Sequence, residues 1–138
     1  MVYYFNQNKN NNLVTNYLDK KNNDVQMESV GFSIWETLFT DRAETMNIIE
    51  PYLAENINLI TIQLGENVKE LSTFETDFEY LIEYIKKHCS NSRIIVIGDF
   101  WDYKDRDRIK MIVAEKCKVD YISLNEIKDN TEYQAGMG

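Results

Sequence analysis

The chain has 138 residues and a net charge of −8, with 43% hydrophobic and 28% charged residues, which is the size and composition of one globular domain. No basic cluster offsets the acidic charge, so we expect no nucleic-acid partner. No stretch approaches the roughly 18 apolar residues of a membrane span, and the first residues do not resemble a signal peptide, which leaves the compartment undetermined.

Short apolar runs alternate with longer amphipathic runs along the chain. The pattern predicts a helix at 12–22, a strand at 25–30, and a helical region at 33–50 that Pro51 ends. Residues 57–64 are almost continuously apolar, which is typical of a strand buried on both faces of a parallel sheet. The capping box Ser72-Thr73-Phe74-Glu75 then predicts the start of another helix.

Two further strands are predicted at 93–98 and 119–124, on either side of a helix that begins near Asp102. Strands separated by helices of this length imply right-handed βαβ units. The predicted fold is therefore α/β, a three-layer α/β/α sandwich around a parallel, flavodoxin-like sheet. We interpret residues 1–138 as a single domain.

Ligands of open parallel sheets bind beyond the carboxyl ends of the strands. The loops at these ends carry two tryptophans and several polar residues: Gly31, Ser33, Trp35, Glu66, Asn67, Asp99, Trp101 and Asp102. This is the strongest candidate site in the chain. The alternative interpretation is that the tryptophans border the core and that the acids cap helices. Cys89 and Cys117 lack metal-ligand spacing, and we expect neither a metal nor a cofactor.

The triplet Gly65-Glu66-Asn67 ends the predicted strand 57–64. The segments FETDFEYLIEYIK, SRIIVIGDFW, KVDYISLNEIK and YQAGMG follow it in the order found in bacterial SGNH (GDSL-like) hydrolases. Residues 13–138 thus resemble the middle of such a hydrolase. The resemblance implies that Asn67 donates a hydrogen bond to the oxyanion of an acyl-transfer intermediate, with Gly31 as a second donor.

The same resemblance implies a serine esterase that acts on a small ester or an acylated carbohydrate. Trp101 lies where these enzymes often line the substrate pocket, and the neighbouring Glu66 and Trp35 are predicted to bind substrate with it. The amide of Asn67 is expected to point into the cleft without an essential hydrogen bond to the core.

The sequence also departs from the family. The family nucleophile lies in a Gly-Asp-Ser or Gly-Asn-Ser turn after the first, central strand, and the general base lies in an Asp-x-x-His block; this sequence contains neither. We therefore expect an incomplete domain that lacks the first central strand and is inactive alone. Ser33 is a weaker candidate nucleophile, and His88 is predicted at the far end of a helix, about 20 Å from the site.

A second interpretation is a non-catalytic, flavodoxin-like ligand-binding or interaction module, such as a degenerate hydrolase homologue. The acids and lysine of a receiver domain are not in place, and neither the Ser/Thr/Gly-rich phosphate loop of a flavodoxin nor a Gly-x-Gly-x-x-Gly motif occurs.

Overall fold

A computed structural model describes residues 2–6, 26–38, 40–101, 103–128 and 130–133. The strands are β1 (Val2–Asn6), β2 (Met27–Gly31), β3 (Leu59–Gln63), β4 (Arg93–Ile97) and β5 (Asp120–Ile122). The helices are α1 (Ser33–Thr37), α2 (Met46–Ile49), α3 (Phe74–His88), α4 (Lys104–Cys117) and α5 (Asn125–Lys128), with short 3-10 turns at Arg42–Thr45, Glu50–Tyr52 and Thr131–Tyr133. The predicted helix at 12–22 and the predicted cap Asp102 lie outside the described residues.

The five strands form one parallel sheet in the order β2-β1-β3-β4-β5. The predicted fold class, an α/β fold with a flavodoxin-like parallel sheet flanked by helices, is confirmed. The central position that we expected to be empty is nevertheless occupied, because β1 lies between β2 and β3. Asn6 is level with Gly31 on one side and Gln63 on the other.

Strand β1 has the sequence Val-Tyr-Tyr-Phe-Asn. Its first four residues favour extended backbone because β-branched and aromatic side chains pack well on a pleated surface. A run this short, followed by the polar residues 6–12, has too little periodicity to be recognised as a strand from the sequence alone. This explains the difference between the predicted and the observed sheet.

Strand β3 lies inside the sheet, and its central residues Ile60, Thr61 and Ile62 are buried, as its apolar sequence predicted. The connections from β2 to β3, β3 to β4 and β4 to β5 all progress across the sheet in one direction. Right-handed crossovers therefore place α2, α3 and α4 on the same face.

Helix α3 buries the apolar stripe predicted for it: Phe74, Phe78, Leu81, Ile82 and Ile85. The predicted capping box does not form, because the N-cap is Thr73 and its side chain makes no capping hydrogen bond. The Thr73 hydroxyl instead accepts a 3.3 Å hydrogen bond from Arg42 Nη1. In the described part of the chain, no helix has both the length and the apolar character needed to cross a membrane.

Candidate functional site at the carboxyl edge of the sheet

The turn after β3 presents Asn67 at the carboxyl edge of the sheet. The Val68 N–H donates a 3.0 Å hydrogen bond to the Gly65 carbonyl, which closes the turn. Gly65 has φ +114°, and a Cβ at this position would lie 3.0 Å from Phe74 Cζ. Only glycine adopts this conformation readily, so Gly65 fixes the direction of the turn. Gly65 and Val68 are buried, and Asn67 is exposed at the tip.

The turn is held by the carboxylate of Glu36, a residue of α1 that is only 2% exposed. Its Oε1 accepts a 2.6 Å hydrogen bond from the Gly65 N–H, and its Oε2 accepts a 2.7 Å hydrogen bond from Asn67 Nδ2. We call this arrangement the Glu36 clamp. Hydrogen bonds to a charged acceptor are short and strong, so the clamp fixes both the backbone and the amide orientation of the turn.

The Asn67 amide was expected to make no essential hydrogen bond to the core, but it does bind a core residue. One of its amide hydrogens is bound by the buried Glu36 carboxylate. A primary amide carries two hydrogens, however, and the second remains available for a ligand at the tip of the turn. The clamp therefore leaves one donor whose direction is fixed.

Arg42 supports the clamp from behind. Its Nε donates to the Trp35 carbonyl at 2.8 Å, and its Nη1 donates to Asp77 Oδ2 of α3 at 2.8 Å. The Arg42 guanidinium also lies 5.0 Å from the centre of the Trp35 ring. Arg42 thus ties the helix that carries Glu36 to α3, which gives the clamp a rigid base.

Replacing Glu36 by Gln should lower the free energy of unfolding by about 1–3 kcal/mol, because the glutamine carbonyl can accept from only one of the two clamped donors. The glutamine NH₂ group would then face the other N–H and leave it unsatisfied. Urea unfolding midpoints measure the loss. The exposed Glu44 offers a matched control, and Glu44→Gln should change stability by less than about 0.5 kcal/mol. Equal midpoints for the two variants would contradict the clamp.

The two tryptophans predicted at the site lie in different environments. Trp35 is 0% exposed and packs against Phe74 and Phe78, with ring centroids 6.1 and 6.0 Å apart. It belongs to the core beneath the site and cannot contact a ligand without moving. Trp101 is 44% exposed and packs edge-on to Phe100 at 5.3 Å. Trp101 is therefore accessible to a ligand.

Glu66 and Gly31 both lie at the carboxyl edge. Glu66 Oε1 accepts a 2.9 Å hydrogen bond from the Phe100 N–H, so this carboxylate joins the loop after β3 to the loop after β4. Gly31 is the last residue of β2 and is half-buried, level with Asn6 of β1. The structure thus brings Gly31, Glu66, Asn67 and Trp101 to one edge and places Trp35 below it.

A buried charge cluster lies next to the site and was not predicted. Asp99, at the end of β4, is 0% exposed and pairs with Arg106 Nε at 2.9 Å and with Lys110 Nζ at 2.8 Å. Lys110 is also 0% exposed. Both cations lie on α4, at positions i and i+4. They are on the same helix face as the buried Val113 and Cys117. The helical spacing of these four positions could have indicated from the sequence that the two cations are buried.

Two cavities open beside these residues. The first, which we call the Asn67 cavity, has a volume of about 630 Å³, and its lining includes Asn67, Leu71, Tyr103 and Arg106. The second, the Trp101 cavity, has a volume of about 860 Å³, and its lining includes Phe100, Trp101, Met111, Tyr121 and Asn125. Both volumes suit a small ligand.

The described residues do not bring the candidate nucleophile Ser33 and the histidine together at the carboxyl edge. Ser33 is exposed at the start of α1, whereas His88, the single histidine of the chain, ends α3 with Nδ1 2.9 Å from the Tyr84 carbonyl. The His88 ring stacks on Tyr84 with 4.3 Å between centroids. Burial, assisted by Glu83, raises the pKa of the Cys117 thiol to about 11, so it stays protonated at neutral pH and is a poor nucleophile.

Comparison with known proteins finds no matching family model, and no curated protein or solved structure matches the chain. The function must therefore be argued from the site.

Proposed function

We propose that this chain is part of a serine ester hydrolase of the SGNH type, in which Asn67 supplies an oxyanion-hole donor. The observation that carries the proposal is the Glu36 clamp, which holds the Asn67 amide by one hydrogen at the ligand-binding edge of a parallel sheet. An oxyanion hole needs donors whose direction is fixed before charge develops, since they then cost no reorganisation during the reaction. The resemblance of residues 13–138 to this superfamily supports the same role.

In the proposed reaction a serine oxygen attacks the acyl carbon of a small ester or an acylated carbohydrate. The carbonyl oxygen takes up the negative charge and accepts hydrogen bonds from Asn67 Nδ2 and from the Gly31 N–H. A histidine takes the serine proton and returns it to the leaving alcohol. The serine and the histidine would come from parts of the parent protein outside this chain. Trp101 and Glu66 would bind the substrate.

A second candidate function, a non-catalytic ligand-binding module, is favoured by a specific observation. Strand β1 occupies the central position of the sheet, which in SGNH enzymes leads into the nucleophile turn. The residues that follow it are Gln7, Asn8 and Lys9, and none of these is a serine. A degenerate homologue with this sequence would keep the ligand cavities and lose the chemistry.

We expect 4-nitrophenyl acetate to be hydrolysed no faster with the isolated chain than with an unrelated acidic protein in the same buffer. A fluorophosphonate probe should leave Ser33 unlabelled, because the only histidine lies at the far end of α3. Turnover of the ester, or a probe adduct mapped to Ser33 by mass spectrometry, would contradict this prediction and make Ser33 the nucleophile.

The two candidate functions predict different esterase activity and probe labelling for the protein expressed with any flanking segments. If the chain is part of an esterase, the protein expressed with its flanking segments should hydrolyse the ester and bind the probe at a serine outside residues 1–138. If it is a binding module, the longer protein should be inactive and unlabelled. The same pair of assays on both forms therefore decides between them.

A further inference from the structure

The Asn67 cavity contains a buried cation that is incompletely satisfied. Arg106 is 5% exposed and uses Nε on Asp99 at 2.9 Å and Nη1 on the Val68 carbonyl at 3.0 Å. Its Nη2 is buried and has no hydrogen-bond partner among the residues that the structure describes. Leaving such a charged donor unpaired is unfavourable, so an acceptor that reached it would be bound favourably.

The charge around Arg106 favours an anion. Asp99 is shared between Arg106 and Lys110, so these three buried side chains together carry one formal positive charge. A ligand with one negative charge would neutralise it.

The amino terminus of α4 opens on the same cavity. Tyr103 is the N-cap and provides no capping side-chain hydrogen bond, and residues 103–106 all contribute to the lining. The first N–H groups of a helix have no partner inside the helix, and the helix dipole makes this end attractive to anions. The 14-residue helix and the unpaired guanidinium nitrogen are independent features that point to the same ligand charge.

The rest of the lining limits the ligand to a small monoanion. Glu66 and Asp105 also border the cavity, but Lys69 and Lys104 offset them in formal charge, so the rim adds no net charge to that of the Arg106 cluster and a single negative charge on the ligand suffices. Val68 and Leu71 supply apolar surface for the body of the ligand. The Tyr103 ring covers the Arg106 guanidinium at 3.6 Å, and because this ring is half exposed it has room to move aside.

We propose that the Asn67 cavity binds a small monocarboxylate with an apolar body, whose carboxylate pairs with Arg106 Nη2 and the amino terminus of α4. Binding at this site does not require esterase activity, because neither Arg106 nor the amino terminus of α4 takes part in the proposed reaction.

The test uses the full chain and two aromatic probes of similar size, benzoate and the uncharged benzyl alcohol, titrated into ¹⁵N-labelled protein. Benzoate should bind at least about tenfold more tightly, because a charge-assisted hydrogen bond contributes that much. Its largest shifts should fall on the Arg106 Nε–H and on the backbone N–H groups of 104–106. Equal affinities, shifts confined to the Trp101 cavity, or tighter binding of inorganic phosphate than of benzoate would each overturn the proposal.

Two variants sharpen the test. Arg106→Gln should weaken benzoate binding about tenfold and leave benzyl alcohol unchanged. Lys104→Gln removes an exposed charge from the same lining without touching the buried cluster, and it should weaken benzoate binding about two- to threefold. This variant provides the test if Arg106→Gln does not fold. The control is Lys87→Gln, an exposed change at the opposite end of α3, for which benzoate affinity should not change. Loss of affinity in the control equal to that in Lys104→Gln would show a nonspecific charge effect and reject the site.

Discussion

Replacing Asp99 by Asn is expected to lower the free energy of unfolding by about 3–5 kcal/mol, the usual cost of removing one partner from a buried ion pair. The side chain keeps its shape, but the Arg106 and Lys110 charges remain buried without a carboxylate. A domain of this size has only about 5–15 kcal/mol of stability, so the loss is a large share of the total. Urea unfolding followed by circular dichroism measures it.

Asp105 provides a matched control on the same helix. Its carboxylate is exposed and lies 3.9 Å from Arg108 Nη2, so Asp105→Asn makes the same charge change at the surface and should cost less than about 0.5 kcal/mol. Adding Lys110→Met to Asp99→Asn should restore part of the stability, since it removes one uncompensated buried charge. A loss in Asp99→Asn no larger than that in Asp105→Asn would contradict the proposed importance of the cluster.

In an active parent protein that contains this chain, Asn67→Ala should lower kcat by about 10²–10³, equivalent to roughly 3–4 kcal/mol of transition-state stabilisation. The value of KM should change little, because the donor acts mainly on the charge that develops in the transition state. Steady-state hydrolysis of an aryl ester by the purified variants measures both constants.

The Glu36 clamp makes a second effect of Asn67→Ala unavoidable. The variant loses the 2.7 Å hydrogen bond to Glu36, which should lower stability by about 1 kcal/mol. Unfolding midpoints measured on the same samples show how much of the protein remains folded during the assay. Lys87→Ala, an exposed change at the far end of α3, should leave kcat unchanged. A folded Asn67→Ala protein with normal kcat would reject the oxyanion role.

The interior of the sheet could be predicted from the sequence because its strands are apolar and bounded by polar segments. The predicted strands at 57–64, 93–98 and 119–124 correspond to β3, β4 and β5, each with slightly shorter observed bounds. Strand β1 could not be predicted, since five residues carry too little periodicity and the pairing that stabilises them is with β3, far along the chain.

The site could be predicted in position but only partly in detail. The exit from β3 identified the Gly65-Glu66-Asn67 turn, because a glycine at the end of a buried strand is a local signal. Glu36 could not be linked to that turn, since no local pattern shows that two segments of the chain meet. The burial of Arg106 and Lys110 could not be predicted from the residue types, although their spacing with Val113 places them on the buried face of α4.

The position of β1 also bears on the order in which the sheet can assemble. Strands β3, β4 and β5 pair with their neighbours in chain order through short crossovers, so this part can form early from nearby segments. Strand β2 reaches the rest of the sheet only through β1, and β1 must find β3 across a much longer stretch of chain. We therefore expect the two strands to join the rest of the sheet late and to detach together. Whenever β1 detaches, the backbone of β3 becomes an open edge that another extended chain, including a second copy, can join.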